Sequence, residues 1–228
     1  MMEQNILPAP KWSKTFIFWG ATLLLFVVSM FTPFAPDTIA AIGSIAILSG
    51  FYGVMRLKNI FGPMKRKKKL LFFSLLILSF VSTIGVDILL SSLGSTANDH
   101  PLFQDLNSYS PVQILILLFT LFIGMIGEEV ITAIFTFPVW GWLREKGLSS
   151  SLSFFLAAVF SSLIFGLFHL PIYGWNWLQC LLTIGLTRIP YTYAWKQMNS
   201  IWGGILLHYL FDLILILLVL LPTSQHLH

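Results

Sequence analysis

Charge is scarce in this sequence. Only 10% of its 228 residues are Asp, Glu, Lys or Arg, against about 25% in an ordinary soluble domain. A chain this short has no interior large enough to hide the 57% that are hydrophobic. That excludes a cytosolic globule and a disordered chain, and it makes lipid the solvent for most of the protein. Cysteine is nearly absent, with Cys180 alone in an apolar run, so an internal disulfide and a Cys-rich zinc site are both excluded. There is no H-E-x-x-H helix, the usual signature of zinc peptidases. No internal repeat is visible and no linker is long enough to divide the chain, so residues 1–228 read as a single membrane domain.

What is present is a series of apolar runs long enough to cross a bilayer, which needs about 20 residues each. Seven are expected, at roughly 15–31, 38–55, 70–92, 111–142, 152–170, 178–195 and 200–221. The fold class is therefore all-α, a multispanning helical bundle of about seven transmembrane helices. The first run is long for a signal-peptide core and lacks an A-x-A site, so it is expected to be an uncleaved span.

The basic residues sit between these runs. Lys11 and Lys14 precede the first span, seven from Arg56 to Lys69 lie between the second and third, Arg144 and Lys146 follow the fourth, and Lys196 follows the sixth. Alternation puts 12 of the 13 on one face. The positive-inside tendency makes that face, and the N-terminus, cytoplasmic in a cell inner (plasma) membrane. The loop 93–110, with Asp99 and Asp105, carries no Lys or Arg. Binding of anionic lipid by the run 65–69 is compatible with its role as a topology anchor. A nucleic-acid partner is excluded despite the net charge of +4.

Seven ionisable residues remain inside the expected spans: Asp87, Glu128, Glu129, His169, Arg188, His208 and Asp212. Each costs a few kcal/mol at mid-bilayer, so such groups face a bundle interior or a wet cavity and point to function. All but Asp87 lie in the last four spans, which places the chemistry in roughly 111–215. Glu128 and Glu129 are about 100° apart on a helix, so only one can face a given point. His208 and Asp212 share a helical face at i, i+4, as do Phe165 and His169. Gly203 and Gly204 permit close helix approach near His208. Asp87 reads as a buried polar contact. Tyr173, Trp175 and Trp177 read as an interfacial belt, and Tyr191, Tyr193 and Trp195 as an anchor.

Glu128-Glu129-Val130-Ile131-Thr132-Ala133, Phe165-x-x-x-His169 and His208-x-x-x-Asp212, each in its own span and in this order, resemble the motifs EExxxR, FxxxH and HxxxN/D. These belong to the CPBP intramembrane protease family, also called the CAAX-protease and bacteriocin-processing or Abi family. The resemblance covers residues 111–215, a CPBP-like catalytic core. It implies an intramembrane endopeptidase, glutamate-dependent or metal-dependent, that cleaves a peptide or protein substrate at or in the membrane. In bacterial relatives that activity is linked to bacteriocin self-immunity or peptide maturation.

The catalytic residues expected on this basis are Glu128, Glu129, His169, His208 and Asp212. Glu128 is the base that activates water, the histidines position that water or stabilise the oxyanion, and Asp212 orients His208 or sits near the oxyanion. Members of the family are commonly called metalloproteases, so zinc held by Glu128, His169 and His208 is a version of the same site. A metal-free version stands beside it. The chain departs from the pattern at Ala133, where the family has arginine, and Arg188 is expected to replace it as the cation facing Glu129. That departure also motivates an alternative, a non-catalytic immunity or binding protein with a degenerate motif. A transporter or proton relay through Asp87, Glu128, His169 and Arg188 is a third reading. In ideal perpendicular helices His169 and His208 lie over a third of the bilayer apart, so tilt or a re-entrant turn at 171–177 is needed if they share a site.

Overall fold

The structure is a computed structural model that describes residues 11–32, 35–64, 68–95, 97–98 and 106–221. Lys65, Arg66, Lys67, Asp99 and Asp105, on which part of the charge argument rests, lie outside the described residues. Within the described residues there are eight α-helices and no strand: α1 (Trp12–Phe31), α2 (Pro36–Tyr52), α3 (Val54–Ile60), α4 (Lys69–Ser92), α5 (Pro111–Glu145), α6 (Ser150–Phe168), α7 (Ile189–Met198) and α8 (Trp202–Leu220). The chain is thus all-α, as its apolar runs imply.

Five helices, α1, α4, α5, α6 and α8, are long and apolar enough to cross a membrane, and the pair α2–α3, bent by 116°, makes a sixth if counted as one span. Their outward faces are apolar. Phe16, Leu24 and Phe31 on α1 and Leu70, Ile77 and Ile88 on α4 are all exposed, an arrangement that only a lipid solvent tolerates over so large an area. The expected span 178–195 is broken instead. It forms a π-helical segment (Gln179–Gly185), a 3-10 turn (Leu186–Arg188) and the ten-residue α7. Pro190 has no N–H for a continuous helix and is tolerated only in the first turn of a new one. The π segment also runs against the α6 backbone: a Cβ on Gly185 would come within 2.9 Å of the Ser162 carbonyl oxygen.

Terminal chemistry sets the long helix. Ser110 and Gln113 form a reciprocal capping box at the start of α5, with Pro111 in its first turn. Gly127 of α5 lets α2 approach closely, since a Cβ there would meet the Ala41 backbone nitrogen at 3.0 Å. Such small-residue contacts are how helices associate without a hydrophobic driving force.

The basic loops gather at one end of the bundle. The Trp12 ring meets Trp142 at 5.7 Å between centroids. Lys68 Nζ donates to the Gln197 side chain, and Lys196 Nζ donates to the Ser150 carbonyl. The Trp202 indole donates to the Phe61 carbonyl. Lys11, Lys58, Lys68, Arg144 and Lys196 therefore belong to one end. From that end α1 and α5 run side by side in opposite directions, with the Trp19 indole donating to the Ile134 carbonyl at 3.1 Å.

The half of the bundle nearest the basic end is filled. Ile60, Ile134, Phe137, Trp140, Phe154, Trp195, Ile201 and Ile205 pack together with almost no exposure. Thr132 and Thr136 bond to carbonyls one turn back, those of Glu128 and Thr132, so these two hydroxyls are not left orphaned in an apolar medium.

Candidate active site

The two adjacent glutamates of α5 part company as their 100° separation requires. Glu129 turns inward and is fully buried. Its Oε1 accepts from Arg188 Nη2 at 2.5 Å and lies 3.0 Å from His208 Nδ1, and its Oε2 accepts from the Trp195 indole at 2.8 Å. Arg188 also donates to the Thr132 hydroxyl, and its guanidinium lies over the Phe165 ring at 4.0 Å. An arginine suits this place because its planar fork can pair a carboxylate, bond a hydroxyl and stack on an aromatic face at once. Arg188 thus meets Glu129, where Ala133, buried in the apolar core, offers no cation. Gly204 of α8 leaves the room: a Cβ there would come within 2.6 Å of Glu129 Oε2.

Glu128 faces the other way, into a cavity of about 420 Å³ that it shares with His169, Arg188, His208 and Asp212. Its side chain is 32% exposed, and its Oε2 is 3.8 Å from His208 Nε2. Asp212, one turn along α8, brings Oδ2 to 3.7 Å from the same nitrogen. A carboxylate only accepts, so His208 donates Nδ1–H to Glu129. Its orientation comes from Glu129, while Asp212 and Glu128 approach its other nitrogen. Tyr191 stacks on the His208 ring at 4.5 Å. His169, the residue that caps α6, has Nδ1 2.9 Å from the Phe165 carbonyl. That hydrogen bond makes Nε2 the lone-pair nitrogen of the ring.

The two histidines that ideal helices would keep apart therefore line one cavity. Three backbone features account for it. The chain turns sharply after His169, with Gly174 and Trp175 both at positive φ. The π segment then folds back along α6, and α7 is short enough to place Arg188 deep in the bundle.

Asp87 is engaged by the Thr183 hydroxyl at 2.8 Å, a part-buried polar contact. The aromatic segments divide. Trp175, Trp177 and Tyr193 are exposed, as membrane-interface residues should be, but Tyr173, Tyr191 and Trp195 are buried, and the last two contact the site directly. Their signal was present: Arg188, Tyr191 and Trp195 fall at i, i+3 and i+7, one face of a helix. Asp37, in the first turn of α2, also lines the cavity, although its place before the second apolar run drew no attention in the sequence.

The fit of a metal is tested by the donors themselves. Among the described residues no group of three His, Cys, Asp or Glu side chains is gathered to hold a metal ion. In this geometry Glu128, His169 and His208 do not form a zinc ligand set.

Apolar helices enclosing a pocket lined by carboxylic acids and imidazoles mark a multi-pass membrane protein. Residues 110–214 match the family model described as type II CAAX prenyl endopeptidase, Rce1-like. The match brackets all three motifs, so this segment is similar to that family over residues 110–214. No curated protein and no solved structure matches the chain.

Proposed function

We propose that the protein is an intramembrane endopeptidase whose water-activating base is Glu128. The observation that carries this reading is the convergence of Glu128, His169, His208 and Asp212, from three helices, on one cavity, with Glu129 and Arg188 locked together beside it. Peptide hydrolysis needs a base for water, charge stabilisation for the oxyanion and a proton for the leaving amine. Glu128 takes a proton from water as the oxygen adds to the scissile carbonyl carbon. His208 and His169 position that water and stabilise the tetrahedral intermediate. The proton held by Glu128 then passes to the amine nitrogen as the C–N bond breaks, leaving an amine and a carboxylic acid, whose proton is released to the amine or to solvent. Glu129 acts through His208, by holding its ring.

The binder alternative drew its force from the missing arginine of motif one, and Arg188 supplies that cation from another segment. By the positive-inside tendency the basic end faces the cytoplasm, with the N-terminus on that side. A role in bacteriocin self-immunity or in maturation of a membrane-associated peptide is what the family resemblance adds.

The test is cleavage by purified, reconstituted protein of a panel of membrane-anchored fluorogenic peptides. Glu128→Gln, His169→Ala and His208→Ala each lower the rate by about 10²–10⁴-fold, the usual scale for a lost acid–base group, with the fold retained in detergent. Full activity in all three removes the site.

A further inference from the structure

The cavity has one closed end and one open end. On α5 its wall runs from Glu128 through Met125 and Gly124 to Leu121, and on α8 from His208 to Leu215. Both stretches lead away from the basic loops. Toward the basic end the way is blocked by Ile134, Phe137, Trp195, Ile201 and Ile205, none more than 1% exposed. At the other end the wall includes Asp37, which is exposed, so the cavity reaches the surface there.

The depth of that opening follows from helix register. Trp12 lies beside Trp142, and α1 has 20 residues, about 30 Å at 1.5 Å each. The same count back along α5 from Trp142 ends beside Gly124, where a Cβ would touch the Asp37 carboxyl group at 3.4 Å. Asp37 therefore stands about one bilayer thickness from the basic end, with Glu128 one helical turn deeper. The wall carries three carboxylates, Asp37, Glu128 and Asp212, and its one arginine is already paired with Glu129. The other titratable groups facing it are His169, His208, Tyr173 and Tyr191.

We infer that the site is loaded from the end opposite the basic loops, past Asp37, and that it takes a peptide segment carrying a positively charged side chain. An acid-lined cleft with low-dielectric walls raises the local concentration of cations and their rate of entry, and Asp37 at the mouth is the residue that selects for them. The peptide part of this inference rests on the protease reading above, whereas the route and its charge preference do not.

Charged, membrane-impermeant methanethiosulfonates test both parts without any need for activity. In a Cys180→Ala background, Leu215→Cys probes the inner wall and Lys58→Cys marks the basic end, in sealed vesicles of known orientation. Ile172→Cys replaces Leu215→Cys if that variant does not fold. The wall cysteine reacts from the side opposite to Lys58→Cys. The trimethylammonium reagent is faster than the sulfonate reagent by roughly tenfold or more, and Asp37→Asn shrinks that ratio several-fold. Reaction from the Lys58 side overturns the route, and equal rates for the two reagents overturn the selectivity. With peptides, a Lys-bearing substrate loses affinity in Asp37→Asn, read as a raised KM, while a neutral analogue does not. Equal KM changes for both overturn the role of Asp37. Failure of the protease reading appears separately, as cleavage undiminished in Glu128→Gln, and leaves the labelling result standing.

Discussion

Arg188→Met is the perturbation with the largest consequence that the structure allows to be worked out. Arg188 is 1% exposed and is, among the described residues, the one arginine or lysine paired with Glu129, which is itself fully buried. Methionine matches much of its volume but leaves the carboxylate with two other partners, the Trp195 indole and the His208 imidazole. Breaking a buried ion pair from one side costs about 3–5 kcal/mol, because the remaining charge stays desolvated. The stacking of the guanidinium on Phe165 at 4.0 Å is lost as well, a smaller effect of about 0.5–2 kcal/mol.

Replacing both partners, Arg188→Met with Glu129→Gln, removes the uncompensated charge and restores most of that loss. Cys180 supplies the assay, since it is the single cysteine and is completely buried, so its reaction with a thiol reagent reports opening of the folded state. A loss of about 3–5 kcal/mol corresponds to a rise of roughly 10²–10⁴-fold in that rate, and the double variant falls back toward wild type. An Arg188→Met rate within about fivefold of wild type, or a double variant no slower than the single one, would falsify the claim that Arg188 stands in for the missing motif arginine.

Three further outcomes follow from the same geometry. Arg188→Lys does not rescue Arg188→Met, because an ammonium cannot pair Glu129, bond Thr132 and stack on Phe165 together; Cys180 reactivity in the two variants, measured side by side, checks this. Gly204→Ala places a Cβ within 2.6 Å of Glu129 Oε2 and destabilises by about 1–3 kcal/mol, the usual cost of overpacking. Thermal unfolding in detergent that matches wild type would show that α8 can shift without cost. Dialysis against a strong zinc chelator leaves cleavage unchanged, consistent with the absence of a three-donor cluster among the described residues. A loss that zinc restores would mean that Glu128, His169 and His208 close on a metal in the working enzyme.

Hydropathy and the positions of the twelve basic residues outside the spans determined that this is an all-helical membrane protein and which loops share an end, because burial in lipid and exclusion of charge act on each segment separately. The spacing Glu128-Glu129, Phe165-to-His169 and His208-to-Asp212 was likewise legible, since helical periodicity says which residues share a face. It could not say which glutamate turns inward, for that depends on the rotation of α5 against α2, α6 and α8. Only the tertiary structure decided that 178–195 breaks into π, 3-10 and α pieces. Only it decided that Trp195 and Tyr191 leave the membrane interface for the site, and that Arg188 reaches a carboxylate 59 residues away. In each case close packing outweighed local preference: glycine at 185 brought backbones together, glycine at 204 left room for the Trp195 and Glu129 side chains, and a buried charge was then held where a partner of opposite sign was within reach.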